Sequence, residues 1–373
     1  MVPQEALLTL AKEVPHHRTP QANENLKAAM AGLKEVFATQ NDVITFTASG
    51  TGAMESSVSC VVPRGGKAIV CDAGRFAQRW TELCRAYGIE VVEVKVPWGQ
   101  AIPAEKVKEA LDANPDAVAV YATLVETSTG VAHDLKALGE VVRNTKALLI
   151  VDAISGAACQ ECRTDEWGID MLCVGSQKAL MLPPGLAFIS VSEKAWKQIQ
   201  TVKPQAFYFD LLQYKKKLAD PDTPFTPAHT LIMALVETLK LIRAEGNEKV
   251  WAKAKSLAKA TRAGIEAIGL EVFAQRPSDA VTSVNFPQGI DGSAFMKKVE
   301  NKYGVKMAGG QAQLKGKIFR IAHMGVVDEL DIISTLAAIE LSLFELGYQV
   351  ELGTAVRAAS HVLAESFQVP ATV

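Results

Sequence analysis

The run Ala147-Leu148-Leu149-Ile150-Val151 contains no polar residue and leads straight into Asp152-Ala153-Ile154-Ser155-Gly156. A strand with one wet face alternates apolar and polar residues. A strand without that alternation is covered on both sides, as in the parallel sheets of α/β proteins. Strand-like segments also lie at Lys67–Cys71, Glu90–Val94, Ala117–Tyr121 and Ile169–Val174, with helical stretches between them, and Leu186–Val191 reads as an antiparallel return. This alternation predicts a mostly parallel sheet with helices on both faces. At 373 residues the chain exceeds one core, so two domains are expected. Gln21–Phe37 reads as a helix, as does Thr230–Glu245, which has Leu231, Leu235, Thr238, Leu239 and Ile242 on one face. Gly246-Asn247 then marks a boundary. The remainder reads as α+β, with a helix over Leu257–Ile268, strands at Val281–Phe286 and Ile318–Ala322, and closing helices. The expected division is an arm over 1–15, a large domain over 16–246 and a small C-terminal domain over 247–373.

In open α/β sheets, ligands sit at the carboxyl ends of strands, and three such ends carry chemistry here. In Gly175-Ser176-Gln177-Lys178-Ala179-Leu180-Met181-Leu182-Pro183-Pro184-Gly185, a lysine follows an apolar strand and precedes a stiff turn. Desolvation at a strand end lowers an amine's pKa, and a neutral amine condenses with an aldehyde, which is the lysine chemistry of pyridoxal 5'-phosphate enzymes. Taken alone, a lysine is more often a solvated surface charge. Asp152 hangs from a neighbouring strand end, where a carboxylate can hold the pyridine nitrogen of that cofactor protonated. Alone, it reads more readily as a helix N-cap. The third end is Val43-Ile44-Thr45-Phe46-Thr47-Ala48-Ser49-Gly50-Thr51-Gly52-Ala53-Met54-Glu55. It presents Ser49, Gly50 and Thr51 at a helix start, where orphan N–H groups and the helix dipole bind phosphate. It is not a Walker loop, and Glu55 stands where a dinucleotide fingerprint has its third glycine.

Ser49-Gly50-Thr51, Glu126-Thr127-Ser128-Thr129-Gly130, Asp152 and Ser176-Gln177-Lys178, in that order, resemble the class V aminotransferases of the alanine–glyoxylate/serine–pyruvate type over nearly the whole chain. The resemblance implies the fold-type-I architecture of pyridoxal phosphate-dependent transferases: a mostly parallel seven-stranded sheet with a smaller C-terminal α+β domain. It implies Lys178 as the Schiff-base lysine and proton shuttle, and Asp152 as the partner of the pyridine nitrogen. Thr127 matches the hydroxyl on the phenolic oxygen, and Ser49, Gly50, Thr51 and Gln177 match the phosphate cradle. Phe76 takes the position of the aromatic residue on the ring, often tryptophan in the family. Arg320, inside the apolar run Lys317–Ala322, matches the arginine that forks onto the substrate carboxylate. Thr226, in Thr223-Pro224-Phe225-Thr226-Pro227, matches a hydroxyl that reaches the neighbouring subunit's phosphate in a homodimer. The expected reaction is ping-pong transamination between a small amino acid, alanine or serine, and glyoxylate or pyruvate. Alternatives are an aspartate donor or a lyase or desulfurase of the same superfamily. The desulfurases usually carry histidine before the lysine, where this chain has Gln177. Family members usually carry a Gly-Pro segment ahead of the Val-Pro that Val2-Pro3 matches, and that segment is expected to line the substrate side.

The formal charge of −2 gives no electrostatic case for nucleic acid, and no stretch approaches the ~20 apolar residues that span a bilayer. Met1–Leu8 lacks the basic start of a signal peptide. The six cysteines read as reduced core thiols, Cys159-Gln160-Glu161-Cys162 has no second pair for zinc, and a reducing cytoplasm is the expected home. No metal site is expected. His323 reads as core packing or a hydrogen bond behind the site.

Overall fold

The computed structural model describes residues 2–219 and 222–367. Its strands are β1 (Asp42–Phe46), β2 (Lys67–Asp72), β3 (Glu90–Lys95), β4 (Ala119–Thr123), β5 (Val125–Glu126), β6 (Val131–Ala132), β7 (Leu148–Asp152), β8 (Met171–Gly175), β9 (Ala187–Val191), β10 (Val281–Asn285), β11 (Ala308–Gly309) and β12 (Ile318–Ala322). Seven of them form one sheet in the order β1-β9-β8-β7-β4-β2-β3. The pairs β2–β3, β2–β4, β4–β7 and β7–β8 are parallel, while β9 runs antiparallel to both β8 and β1. Strand β1 therefore points the same way as β8, and only β9 opposes the rest.

The unalternated apolar runs explain this arrangement. Leu149 and Val151 of β7 enter the core on one face with Val120 and Leu235, while Leu148 and Ile150 enter the core on the other face with Tyr121 and Trp80. A central strand buried on both faces has no room for polar residues. A third core, with Leu257, Phe295, Phe319 and Leu336, belongs to the C-terminal half around the sheet β10-β12-β11.

Most elements lie where the sequence places them. The first long helix runs over Pro20–Val36, started by Thr19, whose side chain accepts from the Ala22 amide, and by proline at the first helical position. One helix differs: the segment expected over Leu257–Ile268 begins at Asn247 and runs to Ala267. Gly246, at φ +83°, ends His229–Glu245, and the next helix starts at once. Closely spaced lysines at 249, 253 and 255 blur the apolar period of its first turns, although Trp251 and Ala254 are buried. No helix among the described residues is long and apolar enough to cross a membrane.

The register places Thr123 beside Asp152, Asp152 beside Cys173, and Phe46 and Gly175 on opposite sides of Ala187. The carboxyl ends of β1, β2, β3, β4, β7 and β8 thus share one edge, and the loop after each of them except β3 carries a candidate residue.

Candidate active site

After β1 the chain turns into the helix Gly50–Val61 with Ser49 as its N-cap. A serine there ordinarily spends its hydroxyl on an amide of the first turn, but Ser49 makes no such bond. The helix start is pressed against the β7 loop: a Cβ on Gly50 would lie 2.5 Å from Ile154 Cδ1, so only glycine brings this backbone in so close.

After β2, Gly74 leads into the helix Arg75–Ala86. The buried Glu126 carboxylate sits at that helix start and accepts from the amides of Phe76 at 3.3 Å, Ala77 at 2.8 Å and Ser128 at 3.0 Å, and from Ser128 Oγ at 2.5 Å. A Cβ on Gly74 would fall 2.4 Å from Glu126 Cγ, so the glycine makes room for the carboxylate. A negative group suits a helix N-terminus. Burial still raises the Glu126 pKa against the lowering effect of these donors. Glu126 thereby fixes Phe76, at the first turn of one helix, relative to Thr127, its own chain neighbour.

Asp152, at the end of β7, is 4% exposed. Its Oδ1 accepts from the Ile154 amide at 2.9 Å, closing a turn rather than capping a helix, since no helix lies between β7 and β8, while Oδ2 has no hydrogen-bond partner among the described residues. Burial pushes its pKa up to about 7, with the nearby Glu126 adding to the rise. Beside it, the hydroxyls of Thr127 and Ser155 lie 2.6 Å apart.

After β8, the loop that carries the lysine is closed by one buried side chain. Ser176 Oγ donates to the Pro183 carbonyl at 2.8 Å and accepts from the Leu186 amide at 3.2 Å, stapling the two ends of the Pro-Pro-Gly turn. The Met181 amide returns to the Lys178 carbonyl at 3.0 Å, with Met181 itself in the left-handed region at φ +60°. Half-buried Lys178 has a lowered pKa, first from burial and then from the positive charge of Arg320.

These loops enclose a cavity of 170 Å³, lined by Ser49, Gly50, Thr51, Phe76, Thr127, Asp152, Gln177 and Lys178, together with Arg79, Val125, Ile154 and Ser155. Eight of the ten candidates thus meet in one place. Arg320 lies immediately behind this lining. It donates from Nη1 to the Thr127 carbonyl at 2.7 Å, and from Nε and Nη2 to the Gly309 carbonyl at 3.0 and 2.8 Å. The tenth, Thr226, is exposed and does not line the cavity. Its segment is nonetheless anchored close by, with the Ala228 amide donating to Thr47 Oγ1 at 2.9 Å. His323 is a buried core residue outside this cavity. Its Nδ1 lies 3.3 Å from the Asp279 carbonyl, and burial lowers its pKa to about 3. All six cysteines are buried and free, and burial pushes Cys159 and Cys162 up to about 12.

Sequence reasoning passed over two polar cavity residues and one behind the wall. Ser155 is a small polar residue in a turn, and Arg79 looks like one of the many surface cations on a helix. Glu126 stands inside the quoted Glu-Thr-Ser-Thr-Gly run, where nothing marks it as a helix cap for a segment fifty residues earlier.

The family pattern described as aminotransferase class-V matches residues 6–327. The chain is 43% identical to an uncharacterised aminotransferase of Methanocaldococcus jannaschii, over 97% of this chain and 95% of that protein. It is 40% identical to the small subunit of a soluble hydrogenase of Synechococcus, over 97% and 96%. It is 34% identical to the L-aspartate–glyoxylate aminotransferase of Paracoccus denitrificans, over 96% and 92%. Among solved structures, ureidoglycine–glyoxylate aminotransferase from Bacillus subtilis superposes with a TM-score of 0.92 at 29% identity, covering 97% of this chain and 95% of that one. Class V aminotransferases and these structural neighbours use pyridoxal phosphate, and their fold is the one described above. The chain therefore belongs to the class-V aminotransferases and is a pyridoxal phosphate-dependent transaminase.

Proposed function

We propose that this enzyme moves an amino group from alanine or serine to glyoxylate or pyruvate, with the cavity at the carboxyl edge of the sheet as its active site. The observation that carries this reading is the convergence of Lys178, Asp152 and the Ser49–Thr51 helix start on that one cavity. The residues fit pyridoxal phosphate. An uncommitted Ser49 hydroxyl and the first-turn amides would hold the phosphate, Phe76 would offer a ring face, and a buried carboxylate with one oxygen unpartnered would take the cationic N–H.

When bound, the cofactor supplies an aldehyde carbon and an electron-accepting ring. The rest falls to the chain. Asp152 Oδ2 would hold the pyridine N–H and keep that proton in place. Lys178 Nζ, its pKa lowered by burial and then by Arg320, would be the group that carries the substrate Cα proton toward the cofactor's aldehyde carbon. Arg320 has five N–H donors, three of them engaged. One remains on each terminal nitrogen, and these two form a fork for the substrate carboxylate. Held by two backbone carbonyls, that fork is set before substrate arrives. The lyase and desulfurase alternative is weaker because a desulfurase needs a mobile nucleophilic cysteine, and every cysteine here is buried.

Small donors are favoured by charge. The cavity lining holds Arg79 and Lys178 as its cations, with Arg320 beside it. A second substrate carboxylate meets no further cation in that lining. We also propose a homodimer in which Thr226 reaches the partner's phosphate. Phe207, 77% exposed and 5.7 Å from the ring of Phe225, makes this segment an apolar face suited to a subunit contact.

The test is a panel of kcat/KM values for L-alanine, L-serine and L-aspartate against glyoxylate and pyruvate, with Arg320→Gln measured alongside. Alanine or serine with glyoxylate is expected to lead, and Arg320→Gln to raise the donor KM about 10–100-fold. Aspartate leading by more than about tenfold, equivalent to one strong contact, would overturn the donor assignment. An unchanged donor KM in Arg320→Gln would overturn the role of the fork.

A further inference from the structure

Arg79 is a half-buried cation that makes no direct ion pair, although its charge is felt by the buried Asp152 carboxylate. It projects from the helix Arg75–Ala86 into the cavity lining. Its one hydrogen bond runs from Nη1 to Thr51 Oγ1 at 3.1 Å, and its guanidinium carbon lies 5.3 Å from the centre of the Phe76 ring. Among the described residues it makes no ion pair, whereas Arg75, one turn earlier on the same helix, pairs with Glu82 at 2.8 Å. A guanidinium has five donors, so four remain uncommitted in a partly dry site. Holding an unpaired cation there is costly unless an anion joins it.

The reaction brings two anions, the cofactor's phosphate and the substrate's carboxylate, and the contact to Thr51 decides between them. Thr51 stands at the start of the helix Gly50–Val61, beside the uncommitted Ser49 hydroxyl. The fork of Arg320 belongs instead to the Thr127 and Gly309 side. Because Thr51 Oγ1 accepts from Arg79, its own hydroxyl hydrogen is left free to donate elsewhere. Phe76 beneath the guanidinium holds it by its π-face, and Phe76 is itself fixed by the Glu126 cap.

We propose that Arg79 is the cationic member of the phosphate subsite: it orients the Thr51 hydroxyl toward the phosphate and supplies the positive charge that the dianion requires. This rests on the reading of Ser49–Thr51 as the phosphate cradle. Arg79 acts here as a positioning residue, linking cradle and ring support in one contact chain, Thr51 to Arg79 to Phe76.

The experiment measures equilibrium binding to the apoenzyme of pyridoxal phosphate and of pyridoxal, which lacks the phosphate, for wild type, Arg79→Gln and Arg79→Lys. Arg79→Gln is expected to raise the Kd of pyridoxal phosphate by about 10–100-fold, the worth of a lost charge-assisted contact. It should leave the Kd of pyridoxal within about twofold, since that ligand makes no use of the charge. Arg79→Lys should recover part of the loss, because charge survives while the fork does not. Equal weakening of both ligands would overturn the proposal, since the residue would then act on the ring or the fold. An unchanged pyridoxal phosphate Kd with a raised donor KM would also overturn it, moving Arg79 to the substrate end. If wild type binds pyridoxal phosphate no more tightly than pyridoxal, the cradle itself fails and the role of Arg79 goes with it.

Discussion

Replacing Lys178 with alanine is expected to lower the rate of amino transfer by about a thousandfold or more, within the range a positioned acid–base group supplies. No other lysine lines the cavity. Arg79, in the cavity lining, and Arg320, beside it, carry guanidinium groups rather than amines. The loss should fall on kcat, because the cradle at Ser49–Thr51 and the fork of Arg320 are untouched and still bind their ligands. Two further readouts separate chemistry from misfolding. Borohydride reduction of wild type should fix the cofactor's mass on the peptide that contains Lys178, and the variant should lose that label. A small amine such as methylamine should restore part of the variant's rate. A variant that keeps more than about a tenth of wild-type activity would remove Lys178 from the proton path, given the factors of ~10²–10⁴ at stake.

Asp152→Asn should cut kcat by about 10²–10³, and it should also stabilise the apoenzyme at alkaline pH. The first effect follows because asparagine cannot hold a proton on the pyridine nitrogen by charge, so the ring accepts electrons less readily. The second follows from burial. The folded-state pKa of Asp152 is raised from 3.8 to about 7, so between those values the native apoprotein binds a proton that the unfolded chain does not. Stability contributed by the protonated form is therefore present at low pH and is lost as pH rises through that window. Asparagine does not ionise and escapes the loss. Its apoenzyme should melt above the wild-type apoenzyme at pH 8, by roughly 2–5 °C for a chain of this size, and the gap should close toward pH 4. Adding pyridoxal phosphate should shrink the gap too, because wild type gains a hydrogen-bonded cationic partner beyond the more distant charges of Arg79 and Lys178. A wild-type apoenzyme at least as stable as the variant at pH 8 would show that Asp152 is already compensated without the cofactor.

Residues at strand ends were legible because their position follows from the strand pattern. Asp152 ends a run without alternation, and Lys178 follows the next parallel strand, so both had to emerge at one edge once the sheet was parallel. The Ser49–Thr51 start could be read the same way, since β1 points with β8. Arg320 lies in a strand where an unpaired cation is conspicuous, although its bonds to the Thr127 and Gly309 carbonyls could not be inferred from spacing. The residues passed over are those whose role depends on tertiary approach. Glu126 acts on a helix start about fifty residues earlier, and Arg79 matters because it reaches Thr51 across the cavity without a direct ion pair among the described residues. Neither leaves a local pattern. The early start of the helix Asn247–Ala267 escaped for a simpler reason: lysines interleaved with its buried residues hide the period that marks a helix face.

The most direct measurement adds L-alanine, L-serine or L-aspartate to the loaded enzyme without any oxo acid, then extracts and quantifies the cofactor. A half-reaction run by Lys178 in this cavity should convert the bound pyridoxal phosphate to pyridoxamine phosphate in proportion to active sites, with release of the matching oxo acid, in wild type but not in Lys178→Ala. Conversion that proceeds equally in both proteins, or a loaded wild-type enzyme that forms no pyridoxamine phosphate with any of the three donors, would contradict it.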